Sequence, residues 1–157
     1  DIRWIRPEEL PQLLALYRHL HPEAGWRTAR SPAIWEAIEN MPGYSIIVAE
    51  EGESCFLLYL LLVPNLTHGG RPSLIENVVT RPDCRNRGLA TACLDFARAL
   101  AAEQGCYKLM LMTGSKREST LDFYRKAGYR SDQKTAFVRG YKELRSAPRN
   151  GALLLYL

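Results

Sequence analysis

The sequence predicts one α/β (α+β) domain, and three observations support this. Apolar residues recur at helical spacing in the first 43 residues, two β-rich runs follow from residue 44, and strand-like and helix-like segments alternate after residue 74. The chain has 157 residues, which is enough for one domain with a core and too few for two ordinary domains. We therefore expect a single domain over residues 1–157.

The first 43 residues predict a short strand and two helices. Residues 2–5 are the candidate strand. Pro7 and the two glutamates after it suit the start of a helix, where proline and negative charge are favoured. Leucines at helical spacing continue this helix to residue 20, and Ser31 begins a second helix that ends near residues 41–43.

The middle of the chain predicts strands. Residues 44–50 and 54–63 are β-branched, aromatic or leucine-rich, and Glu51-Gly52 between them is a hairpin signal. Residues 74–80 form a third run of this kind. We expect an antiparallel meander here.

The remainder predicts two helices, each followed by a strand. Residues 87–104 carry the clearest helical stripe, with Gly105 at its end. Residues 107–112 are almost entirely apolar, as in a strand buried on both faces. Residues 118–127 predict a helix, and residues 134–141 a final strand.

Composition and charge exclude several classes of protein. Apolar residues make up 46% and charged residues 24% of the chain, as in an ordinary globular domain. The longest apolar run, residues 56–63, is far shorter than the roughly twenty residues of a membrane helix. No basic, aromatic-rich block accompanies the net charge of +4, so we expect a small anionic ligand rather than nucleic acid.

Cysteine and histidine positions predict no metal site. Cys55, Cys84, Cys93 and Cys106 form no C-x-x-C pair, and no histidine lies at zinc-ligand spacing from them. The chain also opens without the basic flank and apolar stretch of a signal peptide. We expect a cytoplasmic protein with reduced thiols, and we place Cys84 in a solvated loop.

The segment 78–91 carries the most specific signal. A buried strand runs into a short basic turn, after which Gly88 and Ala90 open the strong helix. The first N–H groups of a helix are unpaired and carry partial positive charge, and small residues leave them accessible. With Arg85 and Arg87 beside them, these groups predict a phosphate site; the alternative is an ordinary helix start with surface arginines.

Two motifs in this region resemble those of the GNAT acetyltransferase family. Arg85-Asn86-Arg87-Gly88-Leu89-Ala90 is similar to the family's R/Q-x-x-G-x-G/A signature and follows a strand, as the family requires. Leu121-Asp122-Phe123-Tyr124-Arg125-Lys126-Ala127-Gly128-Tyr129 resembles its second landmark, a Phe-Tyr followed by a Gly-aromatic pair. Residues 75–79 and 105–109 are also similar to the glucosamine-6-phosphate N-acetyltransferase branch. The resemblance implies a mixed, mostly antiparallel sheet flanked by helices, with an acetyl-CoA cleft beside residues 74–80.

The resemblance also implies which parts of the chain meet acetyl-CoA. The pantetheine arm would pair with strand backbone as an added strand, and the pyrophosphate would lie on the N–H groups of the turn and helix start. These cofactor-binding residues are Asn77, Val78, Val79, Thr80, Arg85, Asn86, Arg87, Gly88, Leu89, Ala90 and Thr91.

One departure from the family pattern concerns the start of the last helix. Arg117 replaces the asparagine that usually stands seven residues before the tyrosine, so the resemblance does not carry that contact with CoA over to this chain. Lys116 and Arg117 would instead meet a phosphate, or they are simply exposed at a helix start.

Two residues are the candidate catalytic pair. A phenol at Tyr124 would protonate the departing thiolate of CoA; the alternative is that it is a core aromatic residue. Glu76 interrupts an apolar strand and would take a proton from the amine, directly or through water; otherwise it is a structural or substrate-binding carboxylate. His68 and Glu53 are weaker alternatives as the base. An N–H group of Val78 or Val79 would meet the developing oxyanion.

The acceptor is expected to be a primary amine of a small molecule. The resemblance implies a pocket formed by the first two helices, their loop and the central strands. The candidate substrate-binding residues are Trp26, Arg27, Arg30 and Tyr59, with Trp35 as a further candidate wall; the alternative is that Trp26 and Trp35 are core residues. Residues 31–70 contain no Lys or Arg and suit a cationic amine, whereas Arg27 and Arg30 suit an anionic acceptor.

The predicted function is therefore an acetyl-CoA-dependent N-acetyltransferase acting by direct attack in a ternary complex. The alternative is a non-catalytic acyl-CoA-binding or partner-binding module on the same fold. We divide the domain into acceptor-side helices (1–43), sheet and CoA core (44–141) and a C-terminal tail (142–157), whose last six residues, 152–157, are apolar. This apolar end would form an edge strand, dock on the core or cross to a second subunit, and we expect a homodimer; the alternative is a vector-derived tail. We expect no nucleic-acid or membrane partner.

Overall fold

The computed structural model describes residues 1–20, 22, 31–51, 53–66 and 69–140. Within them lie five strands, four α-helices and two short 3-10 turns, at Pro7–Glu9 and Pro82–Cys84. The strands are β1 (Ile2–Trp4), β2 (Tyr44–Glu51), β3 (Glu53–Leu62), β4 (Arg71–Thr80) and β5 (Cys106–Leu111), and the helices are α1 (Leu10–Leu20), α2 (Ser31–Glu39), α3 (Leu89–Glu103) and α4 (Glu118–Lys126).

The strands form one mixed sheet in the order β1-β2-β3-β4-β5. The first four strands are antiparallel to their neighbours, and β4 and β5 are parallel. Parallel neighbours need a crossover, and α3 supplies it. The predicted α/β class and the mostly antiparallel mixed sheet are confirmed.

The sheet buries both faces because its strands alternate apolar side chains toward two helical layers. On one face Ile47, Phe56 and Leu58 pack with Cys93 and Ala97 of α3, and α4 residues join this cluster. On the other face, Leu13 and Leu16 of α1 are buried against the remaining sheet positions. These positions are Ile46, Val48, Tyr59 and Val79.

A partly buried ion network joins β1, β2 and the chain before α1. The two terminal nitrogens of Arg3 donate to Glu9 Oε1 and Oε2 at 2.6 and 2.8 Å. The Arg3 Nε also donates to Glu50 Oε2 at 2.9 Å, and the Arg6 N–H donates to Glu9 at 2.7 Å. These hydrogen bonds, chiefly that from Arg3, lower the pKa of Glu9 from 4.5 to about 2.

We expect Glu9→Gln to lower the free energy of unfolding by about 2 kcal/mol at neutral pH, since charge-assisted hydrogen bonds are lost. The folded-state pKa of Glu9 is depressed, so its stabilisation is present above pH 4.5 and disappears as the pH falls toward about 2. Denaturant unfolding at several pH values would therefore show wild type and variant converging in acid. Exposed Glu8→Gln is the control; an equal loss in both variants would contradict this account.

The C-terminal end differs from its prediction. Residues 134–140 form no strand, and Phe137 and Val138 are 93% and 87% exposed. The β-branched and aromatic content that predicted a strand is insufficient here because no neighbouring strand pairs with these residues within the described part of the chain. The tail 142–157 lies outside the described residues.

The thiols also differ in part from the prediction. Cys93 and Cys106 are free, but Cys84 is disulfide-bonded, and its partner lies outside the described side chains. Cys84 is 1% exposed rather than solvated, because the 3-10 turn at Pro82–Cys84 folds it inward.

Candidate active site

The strands β4 and β5 separate partway along their length. Their parallel pairing runs from Arg71 to Ile75 on β4, and β5 ends at Leu111 opposite Ile75. Beyond this point, β4 continues to Thr80 while pairing only with β3. The backbone of residues 76–80 therefore lies at an open edge on the β5 side within the described residues. Such an edge can pair with an extended ligand.

A β-bulge lies where this edge begins. Leu57 pairs with Val79 and Tyr59 with Glu76, so two residues of β4, Asn77 and Val78, oppose the single residue between them on β3. Asn77 has a φ of +54°, a left-handed conformation that asparagine adopts more readily than most residues. The bulge bends β4 next to the place where pairing with β5 stops.

The basic turn brings the start of α3 toward this open edge. Asn86 and Gly88 both have positive φ, +61° and +75°, and α3 begins at Leu89 with no side chain capping it. The N–H of Ala92 bonds to the carbonyl of Gly88, so the N–H groups before it precede the helical hydrogen-bonding pattern. A Cβ built on Gly88 meets no atom within 4 Å. This bare helix start can accept an anion, as the sequence predicts.

The cations near the turn differ in their partners. Arg87 donates to Glu51 at 2.8 Å, with both side chains about half exposed. Arg85, Lys116 and Arg117 are exposed and make no ion pair within the described part of the chain. Arg117 precedes α4 as its N-cap residue, without a side-chain cap. Of the two arginines in the basic turn, Arg85 is therefore the one that can meet an anion without breaking a described ion pair.

Tyr124 lies on α4 and packs against the α3-side core. Its ring is 5.1 Å from that of Phe123 and 6.3 Å from that of Tyr129. Burial raises the pKa of the Tyr124 phenol, which therefore keeps its proton at neutral pH. A protonated, half-buried phenol can serve as a general acid.

Glu76 belongs to a group of aromatic residues on the α1 side of the sheet. It pairs across the strands with Tyr59, whose ring lies 5.1 Å from that of Tyr44 and 5.9 Å from that of Tyr17. Burial, with a smaller contribution from the charge of Glu76, raises the pKa of Tyr44 to about 12. Glu76 is half-buried, so its carboxylate is not sealed in the core. We call Tyr17, Tyr44, Tyr59 and Glu76 the tyrosine–glutamate cluster.

The predicted acceptor residues are described only in part. Tyr59 is 4% exposed, so it packs within the tyrosine–glutamate cluster and leaves little surface for contact with a substrate. Trp35 is half-buried against the α1-side core. Trp26, Arg27, Arg30 and His68 lie outside the described residues, as does the side chain of Glu53.

Sequence reasoning missed Tyr44 and the bulge. The period-two pattern of β2 offered a signal for Tyr44, because Tyr44, Ile46 and Val48 share the face of Tyr59. Nothing in the sequence indicates the positive φ of Asn77 except that the residue is an asparagine.

Comparison with known proteins gives one family. The sequence model of the acetyltransferase (GNAT) family matches residues 10–129. A glucosamine 6-phosphate N-acetyltransferase from Trypanosoma brucei brucei is 36% identical over 76 residues, which is 48% of this chain and 50% of that protein. The alignment thus spans only half the length of this curated relative.

Solved structures agree with the family match. A candidate acetyltransferase from Agrobacterium tumefaciens str. C58 has 34% identity and a TM-score of 0.83, covering 89% of this chain and 99% of that one. The glucosamine-6-phosphate N-acetyltransferase from Arabidopsis thaliana shares the fold, with 20% identity, a TM-score of 0.77 and coverage of 90% and 97%.

Proposed function

Since this chain belongs to the acetyltransferase (GNAT) family and is an acyltransferase, we propose that it moves an acetyl group from acetyl-CoA to a primary amine of a small molecule. The resemblance carried by residues 85–90 and 121–129 is confirmed at the level of the family. The observation that most supports the proposed donor is the open edge of β4 beside the bare start of α3. A cytoplasmic location and a homodimer stay predictions from the sequence.

The residues on this edge fit acetyl-CoA in two ways. Backbone groups from Asn77 to Thr80 would pair with the amide-containing pantetheine arm, as a neighbouring strand would. The N–H groups from Gly88 to Thr91 would bind the pyrophosphate, with Arg85 supplying charge. Lys116 and Arg117 would meet a further phosphate. When bound, the donor supplies an activated thioester.

The proposed chemistry is a direct attack in a ternary complex. Glu76 takes a proton from the ammonium, and the freed nitrogen then forms a bond to the acetyl carbon. An N–H of Val78 or Val79 donates to the carbonyl oxygen as negative charge develops on it. The carbon–sulfur bond breaks, and the Tyr124 phenol gives its proton to the sulfur. The nitrogen then loses its second proton, which returns to the phenolate directly or through water, so that an amide and a free thiol are released. No step uses a thiol of the protein.

The direct test is titration calorimetry with acetyl-CoA, followed by an assay of thiol release across a library of primary amines. We expect saturable acetyl-CoA binding and turnover with a subset of amines. Binding without any turnover would instead favour an acyl-CoA-binding module, and absence of binding would overturn both.

A pair of glycine variants isolates the donor site. Gly88 and Gly105 precede and follow α3, both with positive φ (+75° and +67°) and open space for a Cβ. Alanine at either position adds similar backbone strain, about 1 kcal/mol. We expect both variants to lose similar thermal stability, whereas only Gly88→Ala weakens acetyl-CoA binding, about tenfold or more. Equal binding in the two variants would remove the helix start from the donor site.

A further inference from the structure

A groove lies beside the tyrosine–glutamate cluster, between α2 and the neighbouring ends of β1 and β2. Its volume of about 290 Å³ is near the lower end of the range for small-molecule sites. Nine residues line it, of which α2 contributes Trp35, Ile38 and Glu39 and β2 contributes Tyr44 and Ile46. The groove is partly open to solvent and has room for a group the size of an aromatic ring.

The lining of this groove indicates what it can hold. Most of its residues are aromatic or aliphatic, and Glu39 is the one charged residue among the nine. A flat apolar body would gain contact with Trp35 and Tyr44. A phosphate would face Glu39 without meeting a cation among the lining residues, which is unfavourable. The groove thus favours a neutral or cationic body over an anionic one.

The groove is connected to the candidate base through shared residues. Tyr44 lines the groove and also belongs to the tyrosine–glutamate cluster. Ile46, another lining residue, pairs with Tyr59, which pairs in turn with Glu76. Two strand spacings of about 4.8 Å separate β2 from β4. Tyr44 and Glu76 lie on the same face of the sheet, so a ring against Tyr44 with an amine on a two- or three-carbon chain covers part of this distance, and the Glu76 side chain covers the rest.

Resting on the proposed function, we propose that this groove holds the body of the acceptor, and that the acceptor is a primary amine joined through a short aliphatic chain to a flat apolar ring. The ring lies against Trp35 and Tyr44, and the amine reaches Glu76. Glucosamine 6-phosphate, for which the curated relative is named, is a different class of acceptor, because it carries a phosphate.

The test compares three acceptors with the full chain: phenylethylamine, ethylamine and glucosamine 6-phosphate. We expect kcat/KM for phenylethylamine to exceed that for either of the others by about tenfold or more, the range expected for filling an apolar pocket. Trp35→Leu should lower kcat/KM for phenylethylamine about tenfold, a larger loss than the one it causes for ethylamine, which has no ring to contact this side chain.

Two exposed positions on α2 provide a matched pair that does not depend on core packing. Glu39→Lys and Glu36→Lys make the same charge change on exposed residues, but only Glu39 lines the groove. We expect Glu39→Lys to shift the kcat/KM ratio toward glucosamine 6-phosphate by about tenfold. Glu36→Lys should leave that ratio nearly unchanged.

The outcomes separate this inference from the proposed function. Preference of the wild type for glucosamine 6-phosphate, or equal shifts in the two lysine variants, would overturn the inference alone. Acetyl-CoA binding with turnover of no amine would overturn the proposed function and this inference together. If the thermal unfolding temperature of each variant stays within a few degrees of that of wild type, the differences in kcat/KM arise from the groove and not from loss of folded protein.

Discussion

Tyr124→Phe is expected to lower kcat by about one to three orders of magnitude, the range for loss of a general acid. The variant keeps the ring that packs against Phe123 and Tyr129, so acetyl-CoA affinity and folding stability should change little. Stopped-flow measurement of thiol release under saturating substrates reports this step, provided that chemistry limits the rate.

Tyr129→Phe is the matched control for the acid. Burial also raises the pKa of Tyr129, to about 12, and its ring makes an edge contact with that of Tyr124. Removing this hydroxyl changes the aromatic packing in the same way but leaves the proposed acid in place. Similar losses of kcat in both variants would show that the aromatic cluster acts through packing, and an unchanged rate in Tyr124→Phe would remove the acid role.

Glu76→Gln is expected to lower kcat/KM for the amine by about two orders of magnitude near neutral pH, because most of the amine is then protonated and lacks a base. The amide keeps the shape and polarity of the side chain. Since free amine becomes abundant at high pH, the deficit should shrink as the pH rises toward the pKa of the amine. The measurement is a pH profile of kcat/KM for wild type and variant.

This pH dependence distinguishes a base from a structural carboxylate. A binding or structural role predicts a loss that is constant across the profile, or a rise in KM for a cationic amine at every pH at which it is charged. Glu36→Gln, which removes an exposed carboxylate on α2, controls for the change in net charge and should follow wild type throughout.

Most of the architecture could be predicted because its elements carry local patterns. The helical stripe of α3, the hairpin of β2 and β3, and the glycine after α4 are short-range signals, and these elements lie within a few residues of their predicted ends. The start of β4 at Arg71 was missed because Pro72 reads as a turn. In the structure Pro72 joins the sheet through its carbonyl, which accepts a hydrogen bond from the N–H of Val63.

The parts of the candidate site that lie within one continuous segment could be predicted from the sequence. The basic turn and the start of α3 are contiguous, and the structure places them beside the predicted strand. The tyrosine–glutamate cluster draws on α1, β2, β3 and β4, so its assembly depends on register. The burial of Cys84 depends on how the turn at Pro82–Cys84 folds onto the sheet, and residue types do not specify that. Long-range geometry of this kind is not contained in local sequence patterns.

The bulge at Asn77 has a consequence for how this open edge of the sheet can be recognised in related sequences. In a regular strand, side chains two residues apart point to the same face of the sheet. Glu76 and Val79 are three residues apart and both face the α1 side, because the bulge between them adds one residue. The bend next to the opening of the sheet thus results from one additional residue in β4 and not from the chemistry of a particular side chain. Among distant homologues, this feature is better recognised by the spacing of the hydrophobic pattern than by identity at any position.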